Sequence, residues 1–409
     1  MLTRRMFVRG SALVMAGAGS VPLWLRRAAA ATPGRRKVLV ALFQRGAADG
    51  LNIVVPFGDK RYYELRPTLG IQPPSSSIGG PNGLIDLDGH FGLNGILQPL
   101  KPLWEKKMLA VVEATGSPDP SRSHFDAQDY MESGTPGLKR DGWLNRALPA
   151  AGPDTSPLRA LSISANLPRT LQGEHSAIAV NDLQQFHTDD GTAAIIESMY
   201  ANSRDRELGN AGRDAFAATR MIQTLSKTQY TPAGGAQYGL FGEFGRSLQQ
   251  IARLIKADTG VEAAFAEIGG WDHHQNEPQQ MFNVLRQFGG ALGAFCTDMG
   301  DRMEDIVLVT MSEFGRTAHE NGNNGTDHGH GDVMFVLGGP VQGGRIYGKW
   351  PGLEKEQLYE DRDLAVTTDF RAVLGELVAG HLGTKDLSQV FPGFQAPDPL
   401  GLLKAPSGA

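Results

Sequence analysis

The sequence predicts an α/β protein in which a parallel or mixed sheet is covered by helices on both faces. Three observations lead there. Five short apolar runs, "KVLVALF" (37–43), "MLAVVEA" (108–114), "VEAAFAEIG" (261–269), "DIVLVTM" (305–311) and "DVMFVLGG" (332–339), are bounded by Gly, Pro or polar turns. Their near-continuous apolarity marks strands buried on both faces. Stretches with helical period lie between them, at about 122–133, 193–206, 211–226, 239–256, 279–303 and 366–381.

With 409 residues, 41% apolar and 20% charged, the chain can bury one large core or two ordinary ones. The 52 glycines and 24 prolines follow no fixed repeat, so many loops join short elements. A net charge of −5 without a concentrated Lys/Arg run in the body argues against a nucleic-acid surface and for small-molecule partners.

The first 31 residues stand apart: a basic "TRRMFVRG", an uncharged stretch of 15, "SALVMAGAGSVPLWL", and then "RRAAAA". This is the pattern of a signal peptide, and 15 residues are short for a membrane span. Arg4 and Arg5 before Met6, Phe7 and Val8 resemble a twin-arginine export signal, so the translocase is an expected transient partner and the periplasm or exterior the destination. No membrane anchor is then expected to remain after cleavage; an uncleaved anchor is the alternative. Because that route carries folded and often metal-loaded proteins, it raises the expectation of a bound metal.

The mature body, 33–405, reads as one domain. Within it, 119–250 is a helix- and loop-rich excursion or cap, with weaker strand signals at 158–164 and 176–180; a separate helical subdomain is the alternative. No phosphate-binding glycine loop follows the first strand. Cys296, the only cysteine, shares a helical spacing with Ala291, Phe295 and Met299 and is expected to be buried, which excludes an intrachain disulfide.

Ligands of open α/β sheets bind where the strands' carboxyl ends converge. After the first strand comes Asp49 of "QRGAADGLN", either a ligand or a turn aspartate. After the second, "ATGSPDPSRSHFDAQDY" opens a helix at which Ser121 or Ser123 can cap, Ser123 with Asp126 approximating a capping box. A serine at a helix N-terminus also stands where an oxyanion or phosphate is received.

After the third strand, "GGWDHHQNE" places Asp272 and His274 on one side of an extended segment and His273 on the other, so the first two can share an ion. Oxygen and imidazole donors suit a divalent metal, zinc first, with Mn, Fe or Ca as the other ions considered. After the fourth, "SEFGRT" brings Glu313 and Arg316 to the same edge, as site residues or as a surface pair. Before the fifth, "GTDHGHGD" offers His328 and His330, which are not expected to serve one ion from identical positions. Its glycines read as a hinge that lets an imidazole swing in beside distant side chains. Four of the ten histidines lie in these two glycine-flanked segments, which favours a metal or acid–base site. His381 reads as structural; His90, His175 and His187 receive no role.

Together with "DLAVTTDFRAVLGEL", these motifs resemble the exported bacterial family called domain of unknown function 1501, over about 36–395. That family is grouped with the alkaline phosphatase and sulfatase superfamily. The resemblance implies an alkaline-phosphatase-like mixed sheet sandwiched between helices, with metal at its carboxyl edge. It implies metal ligation by Asp49, by Asp272 with His274, and by His328 or His330. Through Pro120–Ser121–Arg122 it implies a serine nucleophile, with Ser117, Ser121 and Ser123 all open. Where the superfamily carries an Asp-His pair for a second metal, this chain has Glu313-Phe314; glutamate can ligate and phenylalanine cannot.

The leading expectation is an exported metal-dependent hydrolase of phosphate or sulfate esters. The ion would polarise the ester, Arg122 or the helix N-terminus would steady negative charge, and His124 would move protons. One alternative is a non-catalytic exported scaffold or binding protein that meets a partner protein. A mononuclear iron oxidoreductase partner is the other.

Overall fold

A computed structural model describes residues 35–74, 83–135, 141–152, 155–183 and 206–405, the side chains of 206–211 excepted. The segment read as a signal peptide, His187 and all but the end of the helix expected at 193–206 lie outside these residues. No helix among the described residues is long and apolar enough to cross a membrane.

The strands are β1 (Val38–Gln44), β2 (Val54–Val55), β3 (Leu84–Asp86), β4 (Gly92–Asn94), β5 (Leu109–Gly116), β6 (Ala160–Ser162), β7 (Ile178–Ala179), β8 (Ala263–Ile268), β9 (Ile306–Ser312), β10 (Asp332–Gly338), β11 (Arg345–Tyr347) and β12 (Thr368–Asp369). Strands β2, β4 and β3 form a small antiparallel sheet. The other nine form one mixed sheet in the order β11-β5-β10-β9-β1-β8-β6-β7, with β12 also on β5. The five long apolar runs supply its centre. Segments 160–162 and 178–179 extend the same sheet, so the stretch read as a cap contributes two strands to the body.

Strand β1 runs parallel to β8 and β9, whereas β10 is antiparallel to both β9 and β5. Antiparallel neighbours can be joined by a loop at one edge, while parallel ones need a crossover. The connection 313–331 therefore starts and ends at the rim where β1, β5, β8 and β9 finish.

Five helices of eight or more residues are described: α1 (His124–Ser133), α2 (Arg206–Ser226), α3 (Gly242–Lys256), α4 (Glu277–Met299) and α5 (Phe370–Leu377). Alternate residues of β1 face opposite layers. Val38, Val40 and Leu42 pack with α2, α3 and α4, and Leu39, Ala41 and Phe43 with α1 and α5. Cys296 is buried in the first layer. The helix expected at 279–303 stops at Met299 because Gly300, at φ 50°, turns the chain into a tighter 3-10 segment. That expected at 366–381 begins at Phe370, where the Asp369 carboxylate accepts the Arg371 N–H at 2.9 Å. His381 is structural: its Nε2 faces the Val38 carbonyl at 3.0 Å, and burial holds its pKa down to about 4.

A buried carboxylate fastens the helical layer. Asp298 of α4 accepts the Tyr230 and Tyr238 hydroxyls at 2.5 and 2.9 Å, the Ala233 N–H at 2.6 Å and the Lys256 ammonium. Burial alone would raise its pKa, but these donors outweigh it and hold the carboxyl below its usual range. A carboxyl lowered in the folded state contributes stability above the unfolded value near 4, which is lost as pH falls through the folded one. Asp298→Asn should therefore cost roughly 3 kcal/mol in urea unfolding at pH 7. That difference should shrink as the measurement is moved from about pH 4 toward pH 2.

Candidate metal centre

Three imidazoles from three distant segments meet one carboxylate at the rim. Asp272 follows β8; its Oδ1 lies 3.0 Å from His274 Nε2 and 3.2 Å from His328 Nε2. The two nitrogens are 3.0 Å apart. His124, the first residue of α1, brings its Nε2 to 3.7 Å from Asp272 Oδ2. One ligand atom each from His124, Asp272 and His328 lie within 4.8 Å of one another. His273 turns the other way, buried, with its Nε2 2.7 Å from the Gly270 carbonyl oxygen.

Each imidazole is fixed from behind through Nδ1. His124 Nδ1 meets Glu313 Oε1 at 2.8 Å, His274 Nδ1 meets Asp327 Oδ1 at 3.0 Å, and His328 Nδ1 meets the Arg122 carbonyl oxygen at 2.9 Å. Ionised carboxylates and carbonyls only accept, so each Nδ1 can donate its proton outward; Nε2 of His274 and of His328 faces the Asp272 carboxylate, and a metal bound there would leave the ring proton on Nδ1. Outer acceptors of this kind fix the orientation of metal-binding histidines. The Glu313 bond raises the His124 pKa, whereas burial lowers that of His328.

Glu313 and Arg316 are neither exposed nor paired with each other. Glu313 is buried and accepts from Gln128 Nε2 at 2.8 Å and Gly46 N–H at 2.9 Å. Burial would raise its carboxyl, but the His124, Gln128 and Gly46 bonds hold it low. Arg316, also buried, donates to Asp272 Oδ1 at 2.9 Å and to Thr326 through Nε and Nη2. Burial of Asp272 is likewise outweighed by Arg316, and its carboxyl stays below the usual range. Phe314, where the resemblance leads one to look for a ligand, is an apolar wall: its ring stacks on His124 at 5.2 Å and lies 5.1 Å from His328.

Other expected site residues bond elsewhere. Asp49 is buried and held bidentately by Arg66, at 2.5 and 2.9 Å, so a guanidinium answers its charge. Against the raising effect of burial, Arg66 keeps Asp49 ionised, while burial and the Asp49 charge push the neighbouring Glu277 up. His330 stacks on Tyr359, with ring centroids 4.3 Å apart, instead of joining His328. The Arg122 guanidinium is engaged by Asp363 at 2.7 Å and Glu360 at 2.6 Å, so it is paired away from the imidazoles.

Among the serines, Ser117 Oγ accepts the Asp119 N–H and Ser121 Oγ accepts the Ser123 N–H. Ser123 is the N-cap of α1, yet its side chain makes no capping bond, so the expected capping box with Asp126 does not form.

The segment read as a hinge is a tight crossing. A Cβ on Gly329 would stand 2.3 Å from the backbone of Arg316, and one on Gly315 would stand 1.9 Å from the Gly331 carbonyl oxygen. Neither glycine has positive φ. Close approach of two backbones, not freedom to swing, requires them.

The donor set fits a metal ion. Tetrahedral zinc with nitrogen ligands at 2.0–2.1 Å places neighbouring ligand atoms about 3.4 Å apart. His124, Asp272 and His328 each bring one ligand atom within 4.8 Å of the others, and His274 Nε2 lies 3.0 Å from both Asp272 Oδ1 and His328 Nε2. His124 Nε2 is buried and has no hydrogen-bond partner among the described residues, as a nitrogen reserved for a ligand would be.

The sequence points His124 toward proton transfer and does not single out Asp327, Gln128 or Arg66. Asp327 lies beside His328 in the motif already quoted; nothing local to Arg66 signals that it reaches Asp49.

Comparison with known proteins gives three findings. A family model described as "Protein of unknown function (DUF1501)" matches residues 105–390. No curated protein matches the sequence. Similar solved structures include an alkaline phosphatase superfamily protein from Vibrio parahaemolyticus, at 12% identity and TM-score 0.31, over 77% of this chain and 63% of that one. The chain thus spans less than two thirds of that protein. The PsFucS1 sulfatase from Pseudoalteromonas sp. is similar at 10% identity and TM-score 0.38, over 94% and 78% of the two chains. The alkaline phosphatase of the Antarctic bacterium TAB5 is similar at 9% identity and TM-score 0.29, over 76% and 93%.

Two outcomes follow from this geometry. Calorimetric titration with Zn(II) should give one site per chain, weakened roughly a hundredfold or more by Asp272→Ala. Gly329→Ala should lower stability by about 3 kcal/mol in denaturant unfolding, because its Cβ meets backbone that cannot turn aside.

Proposed function

From a chain that belongs to the DUF1501 family of proteins of unknown function, and whose rim gathers three fixed imidazoles around one carboxylate, we propose a metal-dependent hydrolase of phosphate or sulfate esters that acts after twin-arginine export. The observation that carries the reading is the convergence of three Nε2 atoms on Asp272, each ring held through Nδ1. His124, Asp272 and His328 would hold the ion, zinc by donor type, and three protein ligands are the number that a catalytic zinc site keeps. When bound, such an ion polarises an ester oxygen and lowers the pKa of a nearby hydroxyl.

The protein's own groups do the rest. Arg316 keeps Asp272 ionised and aimed, and Glu313 and Asp327 keep two of the rings in their working orientation. Ser123 is assigned the nucleophile's role because it directly precedes His124 and its hydroxyl is not spent on capping. The first intrahelical bond of α1 runs from the Ala127 N–H to the Ser123 carbonyl at 3.0 Å, so the N–H groups of residues 124–126 precede it. Those N–H groups and the helix dipole can receive the anionic oxygens of an ester. Arg122, Arg316 and Arg362 already have carboxylate partners, which leaves that work to the ion and the helix end.

Metal-loaded protein assayed with aryl phosphates and aryl sulfates should turn over one class or both. Ser123→Ala should lower kcat by roughly a thousandfold, and Ser117→Ala and Ser121→Ala by less than about tenfold. Tight metal binding without turnover of either class would instead leave a binding protein.

A further inference from the structure

Behind His328 lies a second carboxylate whose bonds all lead back to that ring. The Asp363 side chain is fully buried. Its Oδ2 accepts from Arg122, at 2.7 Å from Nη2 and 3.3 Å from Nε, and from Arg362 Nη2 at 3.0 Å, while its Oδ1 accepts Arg362 Nε at 2.9 Å. Each arginine then touches His328 by a different route. Arg362 Nη2 donates to the His328 carbonyl oxygen at 2.8 Å, and the Arg122 carbonyl oxygen is the acceptor for His328 Nδ1 at 2.9 Å.

Backbone bonds tie the strap that carries Asp363, residues 359–364, to the crossing on both sides. The Ala318 N–H donates to Arg362 O at 3.1 Å, and the Gly331 N–H to Leu364 O at 2.8 Å. Tyr359 of the strap carries the stacked His330 ring.

We propose that Asp363 is a positioning residue for the metal centre: by holding Arg122 and Arg362 together, it fixes the backbone and the Nδ1 proton of His328, so that Nε2 faces Asp272. The physical reason is preorganisation. A ring free to rotate or to exchange tautomers must be ordered when the ion arrives, and that ordering weakens binding. His274 and His124 have carboxylates on Nδ1, whereas His328 has only a neutral carbonyl, so its alignment depends on whatever fixes that carbonyl.

The inference rests on the metal-centre reading, and the experiment separates the two. Zn(II) affinity of the full chain is measured by chelator competition, and the His328 tautomer by 15N imidazole NMR, for the unaltered protein, Asp363→Asn, Arg362→Gln and His328→Gln. Asp363→Asn and Arg362→Gln should each weaken Zn(II) roughly tenfold or more and shift the His328 ring nitrogens toward mixed tautomers, with His328→Gln the limiting case. Releasing two arginines from one carboxylate also raises positive potential near the ion, but that effect is screened in 1 M salt, where the Debye length is about 3 Å. A loss that persists there is positional; a loss that vanishes overturns the proposal. Should Asp363→Asn fail to fold, Arg362→Gln decides, since Arg362 is partly exposed. Unchanged affinity and tautomer in the folded variants overturn the positioning role alone. An unaltered protein that binds no Zn(II) overturns the metal centre and this inference with it.

Discussion

Strand β10 runs against β5 and β9, and this one reversal determines what stands at the rim of the sheet. Where its neighbours present carboxyl ends, β10 presents its beginning, so the polar segment before it enters at the same level as the segments leaving β1, β8 and β9. Asp272, Glu313 and His328 belong to three such segments, and α1 brings His124 from a fourth. Had β10 been parallel, a crossover would have carried 313–331 across a face of the sheet and left His328 at the opposite edge.

Two acids at this rim meet the cost of burial in different ways. Asp49 is enclosed, and an unpaired ionised carboxylate there would cost several kcal/mol. Arg66 occupies both of its oxygens, which leaves little of the acid to offer another cation. Asp272 keeps nearly half of its side-chain surface, and its arginine touches only Oδ1. Partial exposure with one-sided support gives an acid that remains ionised yet presents a face to a ligand. An aspartate after an apolar strand can have either fate; the difference lies in a partner that sequence does not place beside it.

That contrast also sets how far the sequence was readable. The five central strands were legible because burial on both faces leaves near-continuous apolar runs, and the Asp272–His274 pairing because alternation in an extended segment is a local property. The place of His124 beside Asp272 was not legible, since a histidine at the start of a helix resembles any first-turn residue until Glu313 takes its Nδ1. That His328 and His330 do not serve one ion was expected, but the cause is not strand alternation: two residues apart they would share a face in a regular strand, whereas this segment forms only an isolated bridge at His328 and Tyr359 captures the second ring. Glu313 and Arg316 looked capable of pairing because they are near in sequence; each instead found a partner from another segment.

The glycines of "GTDHGHGD" carry the same lesson into the mechanics of the site. Composition alone suggests mobility, because glycine in an unfolded chain has the widest conformational freedom. In the fold, Gly329 and Gly315 sit where the chain leaving β9 and the chain entering β10 press together, with less room than a methyl group needs. The contact anchors the His328 backbone on the Arg316 backbone, joined by the bridge between these two residues and by the Gly329 N–H to Gly315 O bond at 2.8 Å. Arg316 in turn holds Asp272. One backbone crossing thus sets the distance between a carboxylate and an imidazole more than fifty residues apart. Rigidity suits a binding site, because its ordering is completed during folding and does not weaken the binding of a ligand.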